Sequence, residues 1–197
     1  MELAEKRYAQ WLAQQGLEPE LRQELDAMHS DAEKVTDAFY RDLEFGTAGL
    51  RGVLGAGTNR MNIYVIRRAT QAVAQYLNET ELPKTVAIGH DSRIKSDVFA
   101  REAAAVFAAN GITGAVLKYR MPNHHPEVPL EDAVQALRIM AGLEAGATGY
   151  TADKVGIVGF SAGGHLAAMA STIGSFKPAF SVLFYPVITA VQGKRHQ

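Results

Sequence analysis

Apolar residues recur at helical spacing through the first forty positions. Leu3, Tyr8, Trp11 and Leu12 share one face of a helix predicted over 3–15, and Leu21, Leu25 and Met28 share one over 19–28. Pro19 suits the first turn of the second helix, where its missing N–H has no partner to lose. A short third helix is expected over 32–40. The stretch from Glu44 to Arg60, EFGTAGLRGVLGAGTNR, then holds five glycines in 17 residues. That density marks turns and close backbone approach rather than helix.

From Asn62 onward the pattern becomes regular. Asn62 is placed to cap a helix over 63–77. A short apolar strand over 85–89 runs into His-Asp-Ser-Arg. Ser96 or Asp97 is placed to cap a helix through Ala109, closed by Asn110-Gly111. A strand over 114–121 follows, then a helix over 129–140 with Glu131 and Asp132 in its first turn, where the helix dipole favours negative charge. A strand over 154–160, a helix over 162–171 and a strand over 180–188 complete the pattern. Strands alternating with helices imply a sheet covered on both faces. The expected fold class is therefore α/β: a three-layer sandwich with a mostly parallel sheet and an N-terminal helical extension. The expected divisions are 1–43, 44–113 and 114–190, with 44–190 forming one α/β domain.

Composition narrows the function classes. Hydrophobic residues make up 47% of the chain, enough to build a core. A net charge of −1 provides no basic surface for nucleic acid. With no cysteine, disulfides and thiolate metal sites are excluded. The N-terminal MELAEKRYAQWLAQ is charged and amphipathic, unlike a signal peptide, and no apolar run reaches membrane-spanning length. A cytoplasmic protein without nucleic-acid or membrane partners is expected.

Chemistry is suggested most strongly by KVGIVGFSAGGHLA, Lys154 to Ala167. It reads as a buried strand, a sharp turn with Ser161 at its tip, and a helix, the pattern of a nucleophile elbow. Upstream, LEFGTAGLRG at 43–52, GTNRMN at 57–62 and AIGHDSR at 87–93 resemble the phosphoglucomutase/phosphomannomutase family, over roughly residues 1–112. That resemblance implies that Arg51 lies near a phosphate, whose oxygens suit a planar guanidinium. It also places Asp91 and Arg93 near the former active site.

Downstream, VLKYRMP at 116–122, PLEDAVQALR at 129–138, GFSAGGHLA at 159–167 and LFYPVI at 183–188 resemble α/β-hydrolase esterases of the acetyl-esterase and hormone-sensitive-lipase kind. This second resemblance implies that Ser161 is the nucleophile and that the Ala162 N–H is an oxyanion donor. The changeover falls at 112–115, so the chain reads as a chimera. Right-handed crossovers in both parents make the joint compatible, and Ser161 falls in the topological slot of the mutase's phosphorylated serine.

Each parental machine reads as incomplete. The mutase family's serine loop, its D-x-D-x-D magnesium loop and its distal phosphate-binding domain are not in these residues, so no cofactor and no metal are expected. The esterase family's acid and histidine follow the serine on later strands, and mutase sequence replaces its oxyanion loop. The resulting expectation is a folded chimera without efficient native catalysis. Two alternatives accompany it. One is a weak serine esterase through Ser161, with His90, His124 or His125 as makeshift base, because all four residues follow parallel strands and so gather at one sheet edge. The other is a phosphate or phosphosugar module in which Arg51, Arg93 and the Ala162 N–H bind the anion.

Plain structural roles remain open for the same residues. Ser161 reads equally as a helix N-cap, the glycines as turn formers, and Arg51 as a partner of Glu44 or Asp42. Asp91 and Arg93 read as stabilisers of their own loop, His124-His125 as an exposed turn, and His165 as a core or surface residue. New sheet edges favour self-association. Phosphate or sulfate is expected at the Gly46–Gly57 loop or at the start of the helix after Ser161.

Overall fold

A computed structural model describes residues 2–46, 49–91, 94–142 and 152–186. Three helices come first: α1 (Glu2–Ala13), α2 (Pro19–Ala27) and α3 (Ala32–Phe39). Their apolar faces converge on Tyr8, Leu25 and Phe39, all buried. Tyr8 and Trp11 each meet the Phe39 ring edge-on at 5.7 Å. The Tyr8 hydroxyl donates to the Leu25 carbonyl at 2.8 Å, so its polar end is satisfied inside this core.

The glycine-rich stretch forms a hairpin of two very short strands, β1 (Phe45–Gly46) and β2 (Gly49–Leu50). Strands this short leave no alternating pattern in the sequence. Gly49 has φ 85, and a Cβ there would lie 2.9 Å from the Pro186 ring. Only glycine lets β2 approach so closely. Next comes α4 (Ile63–Glu79), capped as expected by Asn62, whose side-chain oxygen accepts from the Val65 N–H at 3.0 Å.

The remaining elements are β3 (Thr85–His90), α5 (Ser96–Ala109), β4 (Thr113–Lys118), α6 (Val128–Met140), β5 (Gly156–Phe160), α7 (Ala162–Thr172) and β6 (Ser181–Phe184). Several boundaries shift by a few residues, and two departures have local reasons. β4 stops at Lys118 because the next residues turn toward α6: Asp132 accepts from the Arg120 amide at 2.7 Å and from its guanidinium at 2.6 Å. Neither Ser96 nor Asp97 caps α5. The cap residue is Lys95, in the left-handed region at φ 66, while Ser96 lies inside the helix and Asp97 pairs with Arg101.

The sheet order is β1-β2-β6-β5-β3-β4, with every pairing parallel except the β1–β2 hairpin. Helices α4 and α5 cover one face, packing on Val86, Ile88, Val158, Phe160 and Phe184. Helices α6 and α7 cover the other, packing on Ala87 and Ile157. This is the expected three-layer arrangement, and its strand order adds something the sequence did not show. Strands β5 and β6, from the hydrolase-like segment, lie between β2 and β3 of the mutase-like segment. Phe160 and Phe184 stack at 4.5 Å within the core the two segments share. Among the described residues, no helix is long and apolar enough to cross a membrane.

Candidate functional site

Parallel strands end together, and their register defines a row of residues at that edge. Leu50 pairs with Phe184, Phe184 with Phe160, Gly159 with Gly89, and His90 with Lys118. One step further along are Arg51, Tyr185, Ser161 and Asp91. Of the four residues expected to gather at one edge, His90 ends β3 and Ser161 follows β5 in adjacent register, while His124 and His125 lie further on, in the loop after β4. Arg93 lies outside the described residues.

Ser161 joins β5 to α7 with φ 56 and ψ −117. L-residues avoid this region at a cost of about 1–3 kcal/mol, so the surroundings must enforce it. The Ser161 N–H donates to the Phe184 carbonyl at 2.9 Å, and its own carbonyl accepts from the His165 N–H at 3.1 Å. The first turn of α7 also lies directly on the sheet. A Cβ on Gly163 would fall 2.6 Å from the Gly89 carbonyl carbon, so the close approach needs a residue without one. Gly89 and Gly163 belong to different segments, and their contact seals the joint.

The serine side chain itself is left alone. Ser161 is 1% exposed, and its Oγ has no hydrogen-bond partner. Ser161 stands at the N-cap position of α7, but its side chain accepts no backbone N–H there, so the reading in which it satisfies those donors is corrected. Among the described residues, no imidazole serves it either. His90 Nδ1 lies 3.0 Å from the Asp91 carbonyl oxygen. His124 and His125 sit in the exposed loop after β4, where His125 Nδ1 lies 3.2 Å from Glu127 Oε1. None of these three histidines is hydrogen-bonded to the serine oxygen. His165 is half-buried on α7.

The Ala162 N–H is already engaged. It donates to Asp91 Oδ2 at 3.2 Å, a bond spanning 71 positions of sequence. Asp91 is 7% exposed, and its own amide donates to Ser96 Oγ at 3.3 Å. The start of α7 favours a negative group, and the carboxylate of the mutase-like segment provides one. Asp91 thus does more than hold its own loop. Its motif was visible in the sequence, but the pairing with Ala162 depends on strand order, which was not.

Arg51 is exposed and makes no ion pair or hydrogen bond among the described residues. The predicted pairing with Asp42 is corrected, because Asp42 instead holds Arg7 at 3.0 Å and Arg68 at 2.7 Å; nor does Arg51 pair with Glu44. The backbone of the adjoining glycine-rich loop is largely used internally. Glu24 Oε2 accepts from the Ala56 N–H at 2.7 Å, the Gly55 N–H reaches the Met61 carbonyl at 3.2 Å, and Asn62 Nδ2 donates to both the Gly55 and Gly57 carbonyls at 2.9 Å. Glu24 carries no sequence signal, since it reads as one more charge on a helix surface.

Two shallow grooves occur elsewhere. One of about 390 Å³ is lined by Ala32, Glu33, Thr36, Asp37 and Tyr40. The other, about 330 Å³, lies between α4 and β6 and is lined by Val73, Tyr76, Phe180 and Val182 among others. Neither includes Ser161 or Arg51. Among the described residues, no group of three His, Cys, Asp or Glu side chains is arranged to hold a metal ion.

Comparison of the sequence with known proteins matches two families. Residues 42–130 match phosphoglucomutase/phosphomannomutase, alpha/beta/alpha domain I, and residues 93–197 match the alpha/beta hydrolase fold. The overlap of the two matches, 93–130, contains the changeover read from the sequence. A phosphoglucomutase of Staphylococcus saprophyticus is 36% identical over 111 residues, 56% of this chain and 19% of that protein. A probable phosphoribomutase of Schizosaccharomyces pombe is 43% identical over 103 residues, 50% of this chain and 17% of that protein. An acetylxylan esterase of Xylanibacter ruminicola is 39% identical over 89 residues, 44% of this chain and 18% of that protein. The chain spans less than a fifth of the length of each of these relatives. With more than half of its residues matching, the chain belongs to the alpha/beta hydrolase fold family through residues 93–197, joined to a segment of phosphoglucomutase/phosphomannomutase domain I.

Proposed function

We propose that this chain is a folded composite that performs neither parental reaction efficiently, and in which Ser161 keeps the backbone of a nucleophile elbow without the groups that activate it. The observation that carries this reading is the buried Ser161 Oγ with no hydrogen-bond partner. A serine hydroxyl is a weak nucleophile at its free pKa and needs an adjacent base within hydrogen-bond reach. His90, His124 and His125 are engaged or placed elsewhere. Loss of a triad base and of oxyanion donors removes several orders of magnitude in rate.

The test is p-nitrophenyl acetate hydrolysis by the 197-residue chain and its Ser161→Ala variant, with glucose 1-phosphate turnover measured alongside. Equal background rates in both chains and no mutase turnover are expected. A pre-steady-state burst that disappears in Ser161→Ala would establish a serine esterase instead.

A second reading rests on a different observation. Arg51 stands exposed at the end of β2 without a carboxylate partner among the described residues, which suits a phosphate or phosphosugar. Phosphate should then raise the melting temperature of the parent chain more than that of Arg51→Ala. An identical response in the two would reject this site.

A further inference from the structure

We infer that Asp91 is a built-in inhibitor of the Ser161 turn. Its carboxylate, supplied by the mutase-like segment, holds the backbone amide that the hydrolase fold uses to receive negative charge during reaction at the serine. The inference rests on the proposal that Ser161 is an unsupported nucleophile, and it adds a second cause of silence besides the lack of a base.

Three observations converge on Asp91. Its Oδ2 accepts from the Ala162 N–H at 3.2 Å, and Ala162 directly follows the serine. An amide has one proton, so while Asp91 holds it, a developing oxyanion cannot take it at full strength. Asp91 is 7% exposed and Ser161 is 1% exposed, so this carboxylate sits in a poorly solvated place beside the serine, where like charge is weakly screened. An oxyanion forming next to it meets repulsion where it needs a donor.

Finally, Asp91 is braced. Its amide donates to Ser96 Oγ at 3.3 Å, and its carbonyl lies 3.0 Å from His90 Nδ1. The contact belongs to the composite, since β5 had to pair with β3 before Asp91 could reach α7.

A fluorophosphonate ester tests this without requiring turnover. In the labelling step the Ser161 Oγ–P bond forms and the P–F bond breaks. Fluoride leaves with the bonding pair, and the serine proton passes to water. Labelling is followed by intact mass in the parent, Asp91→Ala and Asp91→Asn, each also carrying Ser161→Ala as control.

Asp91→Ala removes both the charge and the acceptor and vacates volume beside Ser161, so it should label at least about 10-fold faster than the parent, up to the roughly 100- to 1,000-fold that one oxyanion donor contributes. Asp91→Asn keeps the shape and an acceptor without the charge and should fall between them. It carries the test if Asp91→Ala does not unfold cooperatively. Parent-like labelling in a cooperatively folded Asp91→Ala, or in Asp91→Asn should that variant carry the test, overturns the inhibitor while leaving the disabled-serine reading intact. Fast stoichiometric labelling of the parent itself overturns that reading instead.

Discussion

The glycine-rich loop and the Ser161 turn each hold a carboxylate against a backbone amide, and they differ in what is left over. In the glycine-rich loop, Glu24 takes the Ala56 N–H, while Asn62 serves two carbonyls with its amide and the Val65 N–H with its oxygen. At Ser161, Asp91 takes the Ala162 N–H, and the serine hydroxyl stays buried with no partner. The loop and Asn62 lie in the mutase-like segment, and Glu24 reaches the loop from the N-terminal helices. The Ser161 turn lies in the other segment, with β6 of its own segment on one side and β3 of the mutase-like segment on the other. Backbone geometry at Ser161 depends on strand register and glycine packing, and this sheet supplies both. Side-chain satisfaction depends on particular partners, and among the described residues the serine hydroxyl has none.

The shared core is where the largest effect is expected. Phe160→Ala removes a fully buried ring stacked on Phe184 and should cost about 3–5 kcal/mol in denaturant unfolding. A much smaller loss would mean that the hydrolase-like strands contribute little to the common core.

The contrast between the turns is sharpened by a pair of variants with opposite signs. Asn62→Ala removes a helix cap and two further hydrogen bonds and should cost about 2 kcal/mol. Ser161→Gly removes an orphan hydroxyl and relaxes a strained φ, so it should stabilise the chain by about 1 kcal/mol. Destabilisation by Ser161→Gly would indicate that the hydroxyl has a partner in solution.

Much of this was legible beforehand, and the omissions share a cause. Asn62 announced its cap because capping is local, reaching three residues along the chain. The strand–turn–helix around Ser161 was legible for the same reason. The β1–β2 hairpin was not, since two-residue strands have no period. The interleaving of β5 and β6 between β2 and β3 was not legible either, and it decides which residues meet Ser161. Asp91 was visible as part of a motif but not as the partner of Ala162, because that contact crosses 71 positions. His90, His124 and His125 were read from the order of strands alone, and strand order says nothing of which way an imidazole turns.

A smaller effect concerns the loop that ends β4. Hydrogen bonds from Arg120 hold the Asp132 carboxyl below its ordinary value of 3.8. A depressed folded-state pKa means stability that is present above the ordinary value and lost as pH falls through the folded one. Asp132→Asn should therefore be less stable than the parent at pH 7, with the gap closing below about pH 4. A gap that persists unchanged at pH 2 would show that the pair contributes through shape rather than charge.

The account depends most on the two family segments sharing one core, and native-state amide hydrogen exchange tests that directly. Ile88 on β3 and Val158 on β5 are paired neighbours from different segments, and both are fully buried. If the core is common, their amides should open with the same free energy, equal to that of global unfolding, and respond equally to denaturant. Exchange at Val158 through a lower-energy opening, with Ile88 still protected, would contradict a single core and leave the hydrolase-like strands as a separable part.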